Sequence, residues 1–130
     1  MYSILYVDDE PALLDIGKIY LDKSGHFTVD TAESVAEAIE KLGAHTYDAI
    51  VSDYQMTDID GIQFLRYIRE HYRDIPFILF TGRGREEVVI EALNSGADFY
   101  LQKEGSRSRS LRSWITRFWL PSIARGQTRS

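Results

Sequence analysis

Along the 130-residue chain, short apolar runs alternate with longer segments whose apolar positions recur at helical spacing. The runs are ILYV (4–7), FTV (27–29), AIV (49–51), FILF (77–80) and FYL (99–101). They are brief and carry little polar interruption, as strands covered on both faces do. Between them, ALLDIGKIYLDKS (12–24), SVAEAIEKLGA (34–44), GIQFLRYIREHY (61–72) and EEVVIEALNSG (86–96) place apolar residues at i, i+3, i+4 and i+7 with charges elsewhere, which predicts four helices. LRSWITRFW (111–119) predicts a fifth, with Leu111, Trp114, Ile115 and Phe118 on one side, Arg109, Arg112 and Arg117 on the other, and Pro121 as its stop. The boundaries have their own chemistry. Pro11 suits a first helical turn, Ser34 with Glu37 reads as a capping box, and Gly25, Gly43 and Gly96 fall where C-terminal caps are expected. Strict strand–helix alternation predicts a parallel sheet with helices on both faces, because parallel neighbours need crossovers and the crossovers cover the sheet.

This length fits one compact domain, read as residues 1–120 with a loose tail at 121–130. Cysteine is absent, so no disulfide framework, thiolate metal site or cysteine nucleophile is available, and a reducing, cytoplasmic setting is expected. No apolar run reaches membrane-spanning length, and the early acids of MYSILYVDDE do not fit a signal peptide. The net charge of −5 is unevenly spread: residues 1–104 carry −11, whereas residues 105–130 carry six arginines and no acid. Those arginines come without a recognisable DNA-binding pattern, so no specific nucleic acid is expected.

Charge becomes informative at the ends of the runs. In an open parallel sheet, ligands bind outside the carboxyl ends of the strands. There the sequence places Asp8 and Asp9 after the first strand, Asp53 after the third, Thr81 after the fourth and Lys103 after the fifth. Carboxylates within about 4 to 6 Å of one another repel by roughly 1 kcal/mol per close pair in water and by more at lower dielectric. A divalent cation offsets that repulsion, and an all-oxygen set without His or Cys favours Mg²⁺. Taken singly, each residue has a plainer reading: Asp9 or Glu10 as a helix cap before Pro11, Asp53 in a turn, Thr81 as a cap, Lys103 as a solvated charge. Their joint placement favours one shared site.

These residues resemble the receiver domain of two-component response regulators over residues 1–104, with the last helix matching in position. The acidic pair corresponds to Asp8 and Asp9, the phosphoacceptor to Asp53, the hydroxyl residue to Thr81, the switch aromatic to Tyr100 and the lysine to Lys103; Met56 and Gly61 stand at the family's spacing from Asp53. The resemblance implies a doubly wound, flavodoxin-like α/β fold with five parallel strands in the order 2-1-3-4-5. It implies that Asp53 takes a phosphoryl group from a sensor histidine kinase. Mg²⁺ would be held by Asp9, Asp53 and the backbone carbonyl of Gln55, with Asp8 acting largely through water. Lys103 and Thr81 would bind the phosphoryl group, and Thr81 and Tyr100 would carry the conformational switch. The domain would catalyse only its own phosphorylation and dephosphorylation. A homodimer or output partner would use the fourth helix, fifth strand and fifth helix.

The chain departs from the family in two places, with Glu104 after the lysine and Thr57 after the methionine where proline is common. Both bear on loop geometry and leave the phosphoryl-transfer groups in place. Two competing classes remain. A doubly wound phosphatase working through an aspartyl phosphate needs a second aspartate two residues after the nucleophile, where this chain has Gln55. A receiver-fold interaction module signalling without phosphorylation is the other, and the full set of site residues speaks against it. Asp58 and Asp60 read as solvated turn acids, GRGR (82–85) lacks the P-loop ending, and His26, His45 and His71 are isolated. Gln55 and Arg83 flank the site and are candidates for tuning the acyl-phosphate lifetime.

Overall fold

The computed structural model describes residues 2–72, 74–81 and 86–102. Strands β1 (Tyr2–Val7), β2 (Phe27–Ala32), β3 (Ala49–Asp53), β4 (Phe77–Thr81) and β5 (Phe99–Gln102) alternate with helices α1 (Pro11–Lys23), α2 (Val35–Ala44), α3 (Gly61–His71) and α4 (Glu86–Asn94). All neighbouring strands pair in parallel, in the order β2-β1-β3-β4-β5. The predicted fifth helix, the tail, Arg83, Lys103 and the Lys103–Glu104 bond lie outside the described residues.

The alternation of side chains along each strand sorts the core into two layers. Leu5, Val7, Ile50, Phe77 and Leu79 face α2, α3 and α4 through Val35, Ala38, Leu42, Ile62, Phe64, Leu65, Ile68, Val88 and Ala92. Ile4, Tyr6, Phe27, Val29, Val51, Ile78 and Phe80 point the other way, where α1 contributes Leu14 and Leu21. Strands β1, β3 and β4 are therefore apolar on both faces, which explains their uninterrupted sequence runs.

The helix ends follow local chemistry with two adjustments. Pro11 occupies the first turn of α1, and Gly25 and Gly96 turn the chain with φ of +80° and +104°. Gly43, expected as a cap, lies within α2, whose last turn runs on to Ala44 before His45 takes an extended conformation. Ser34 caps α2 by accepting the Glu37 N–H at 3.1 Å. The Glu37 carboxylate reaches back one residue beyond the expected partner, accepting the Glu33 N–H at 2.8 Å.

Candidate functional site

Strand register brings the acids together. Val7 pairs with Ser52 and Asp53 pairs with Phe80, so Asp8 and Asp53 stand level on adjacent strands, with Thr81 one step further on β4. Strands about 4.8 Å apart make neighbours of such residues. Carboxylate oxygens of Asp8, Asp9 and Asp53 all lie within 4.8 Å of one another. Asp8 is fully buried, Asp53 is 4% exposed and Asp9 is half-buried, so two of the three acids sit where water screens charge poorly.

Asp8 also shapes the chain around itself. Its Oδ1 accepts the Glu10 N–H at 3.0 Å while its own N–H donates to Ala32 O at 3.1 Å, turning β1 into α1 across the sheet rim. Glu10 occupies the N-cap of α1 but makes no side-chain cap bond. The helix-cap reading therefore fails for Glu10, and Asp9 belongs with the acidic cluster.

The donor set fits a hard divalent cation. Three carboxylates supply oxygen alone, and the octahedral shell of Mg²⁺, with oxygens at about 2.0–2.1 Å, is roughly 4 Å across. The observed spread approaches that span, and waters and a carbonyl complete such a shell. Thr81 adds a second signature: its side chain is fully buried, and Oγ1 has no hydrogen-bond partner among the described residues. Leaving a buried hydroxyl unmatched costs about 1–3 kcal/mol, so such a group at a strand end marks a place where a ligand acceptor is welcome. Tyr100 pairs with Leu79 on β4 and is 38% exposed.

The loop from Tyr54 to Asp60, which contains Gln55, follows directly on Asp53. It is closed by the Gly61 N–H donating to Tyr54 O at 2.7 Å, and it is joined to β4 by the Tyr54 N–H donating to Phe80 O at 2.9 Å. Met56, Ile59 and Tyr54 pack against the core shared by α2, α3 and α4. The two aspartates read as solvated turn acids are not simply solvated. Asp60 caps α3 in a reciprocal box with Gln63, with bonds of 2.8 and 3.0 Å, and Asp58 accepts N–H bonds from the start of α2. The D-x-x-Q spacing signals the first; the second joins residues more than twenty positions apart and leaves no local pattern.

Comparison with known proteins agrees with this geometry. A family model described as the response regulator receiver domain matches residues 4–114. Response regulator Rre1 of Synechocystis sp. is 36% identical over 103 residues, covering 78% of this chain and 45% of that protein. Transcriptional regulatory protein SrrA of Staphylococcus aureus is 36% identical over 101 residues, covering 78% of this chain and 41% of that protein. The chain thus spans less than half the length of these relatives. Among solved structures, a CheY-like receiver domain protein from Methanospirillum hungatei superposes with a TM-score of 0.83 at 26% identity, covering 97% of this chain and 99% of that one. The beryllofluoride-activated NtrC4 receiver domain dimer gives 0.77 at 31% identity, covering 92% and 98%.

Proposed function

The chain belongs to the response regulator receiver family of two-component systems, and from that premise we propose that it is a Mg²⁺-dependent phosphoacceptor switch centred on Asp53. The observation that carries this reading is the meeting of Asp8, Asp9 and Asp53 within 4.8 Å at the carboxyl rim of the sheet. Asp9, Asp53 and the Gln55 carbonyl would hold the ion, with Asp8 acting through water. When bound, Mg²⁺ supplies positive charge against the phosphoryl oxygens.

The chain's own groups do the rest. An oxygen of Asp53 attacks phosphorus in line; the new O–P bond forms as the N–P bond to the donor histidine breaks, and the freed imidazole recovers a proton from solvent. Burial fixes the attacking carboxylate at the end of β3. Lys103 pairs with the transferred group, and the Thr81 hydroxyl donates to one of its oxygens. Satisfying that hydroxyl is the driving change for the switch, because a phosphoryl group adds charge and strong acceptors at one point. Tyr100, exposed beside Leu79, then moves inward behind Thr81. The domain turns over no other substrate, catalysing only its own phosphorylation and dephosphorylation.

The exposed apolar positions offer surfaces for the partners that family membership implies. The site lies at the N-terminal end of α1, whose exposed Ile16 (47%) and Ile19 (55%) would meet a sensor histidine kinase. On the opposite layer, Ile90, Leu93 and Tyr100 offer an output partner or a second copy an apolar surface on α4 and β5. No described helix is long and apolar enough to cross a membrane. A cytoplasmic setting completes the reading.

The test is incubation with acetyl phosphate and Mg²⁺ followed by intact mass measurement. One added phosphoryl group, absent with EDTA and in Asp53→Asn, is the expected result. Folded, metal-loaded protein that gains nothing contradicts the reading and favours the unphosphorylated interaction module, whereas multiple turnover of phosphate monoesters favours the phosphatase.

A further inference from the structure

The loop carrying Gln55 is fastened to a helix at the other side of the site. Oδ2 of Asp58 accepts the backbone N–H groups of Val35 at 2.9 Å and Ala36 at 3.2 Å, the first two residues of α2. A helix leaves such first-turn donors without partners of its own, and a negative charge is favourable against them. Ser34 serves the next donor, Glu37, at 3.1 Å. One turn of helix is thereby closed from two directions: Ser34 acts from its own strand–helix junction, and Asp58 acts from the loop that follows β3.

Asp58 stands three residues after Gln55 and five after Asp53, while its side chain is tied to backbone more than twenty residues earlier. The other fixings of this loop face β4, α3 and the core, through Tyr54, Gly61, Asp60 and Met56. The Asp58 carboxylate adds a polar anchor on the α2 side. Substituting it therefore frees that flank of the loop while β3, the acidic pair and the α3 cap keep their own contacts.

We propose that Asp58 is a positioning residue for the phosphoacceptor site: by clamping residues 54–60 to the first turn of α2, it sets the stance of the Gln55 carbonyl and couples cation binding to the order of α2. This rests on the reading that Gln55 contributes a ligand to a divalent cation. Coupling of this kind is reciprocal: whatever Asp58 contributes to cation affinity, the cation returns to the Asp58–α2 clamp.

Two measurements on the full chain test it: Mg²⁺ affinity by calorimetry, and hydrogen exchange of the Val35 and Ala36 amides with and without Mg²⁺. In the unaltered chain Mg²⁺ should slow exchange at both amides. Asp58→Ala should weaken Mg²⁺ about fivefold or more and erase that slowing, with Asp58→Asn, which keeps an acceptor but no charge, falling between. Ser34→Ala loosens the same helical turn without touching the loop, so it should speed exchange while weakening Mg²⁺ much less than Asp58→Ala does, with the slowing by Mg²⁺ retained. Equal loss of affinity in Ser34→Ala and Asp58→Ala would assign the effect to helix loosening and overturn the proposal. Amides indifferent to Mg²⁺ in the unaltered chain would overturn it without any variant. A chain that binds no Mg²⁺ at all removes the reading of the site as well; one that binds it normally and is phosphorylated with Asp58 replaced removes the positioning role alone.

Discussion

A Cβ atom on Gly61 would lie 2.5 Å from the backbone oxygen of Asp53 and 2.7 Å from Leu79 Cδ1. The first contact is with backbone that cannot rotate away, so the absence of a side chain at Gly61 lets α3 start directly beneath Asp53. Gly61→Ala should force the loop or the end of β3 to shift, at a cost of about 1–3 kcal/mol in urea unfolding. The same shift should slow phosphorylation by acetyl phosphate even at temperatures where the variant is fully folded.

Arg69 and Arg66 sit one turn apart on α3 and should behave differently. Arg69 donates to Gly96 O at 2.9 Å, Ile75 O at 2.6 Å and Asp98 Oδ2 at 2.7 Å, and the Asp98 side chain is only 5% exposed. Asp98 in turn accepts the Phe77 N–H at 2.9 Å, so one guanidinium joins α3 to the beginnings of β4 and β5. Removing it strands a buried carboxylate, and Arg69→Met should cost about 3 kcal/mol by denaturant titration. Arg66 reaches Glu91 at 2.8 Å with both side chains more than half exposed, and Arg66→Met should cost less than about 1 kcal/mol.

Two lysines cover the open edge of the sheet. His26 O and Ala32 O pair toward β1, which leaves the carbonyls of Val29 and Thr31 on the outer side of β2. Lys18 from α1 donates to Val29 O at 3.0 Å, and Lys41 from α2 donates to Thr31 O. Their ion pairs with Asp22 and Glu37 are exposed helix pairs that contribute about 0.3–0.5 kcal/mol each. Blunting an edge that would otherwise accept another strand is the larger consequence. The double substitution Lys18→Met, Lys41→Met keeps the apolar stems and should increase concentration-dependent association by light scattering, with little change in unfolding midpoint.

Tyr47 is 8% exposed, and its hydroxyl donates to Asp30 at 2.7 Å. Burial first, then the hydrogen bond and the charge of Asp30, hold the phenol well above its ordinary value of 10.0. A folded-state value above the unfolded one contributes stability that is fully present below pH 10 and declines as pH rises through the folded value. Unfolding midpoints should therefore fall more steeply above pH 10 in the unaltered chain than in Tyr47→Phe. At neutral pH that variant should lose about 1 kcal/mol for the missing hydrogen bond.

The sequence was most legible where structure is local or periodic. The apolar runs named the strands because β1, β3 and β4 are covered on both faces, and the acids at their ends marked the rim because parallel strands all deliver their carboxyl ends to one edge. Contacts across the chain were not legible. Nothing near Asp58 announces that it caps a helix beginning at Val35, and nothing near Lys41 announces that it covers Thr31. Gly43 shows the converse error: a glycine near a helix end looks like a stop, but Ala44 continues the helix because Leu42 is anchored in the core. Lys103 and the predicted final helix lie outside the described residues.

Borohydride trapping after transfer from acetyl phosphate, followed by peptide sequencing, tests the central claim most directly. Reduction of an acyl phosphate leaves homoserine in place of the phosphorylated aspartate. The expected result is homoserine at position 53 alone, formed only when Mg²⁺ is present. Homoserine at Asp8 or Asp9, or labelling of Asp53 undiminished by EDTA, would contradict the assignment of Asp53 as the acceptor in a cation-dependent acidic site.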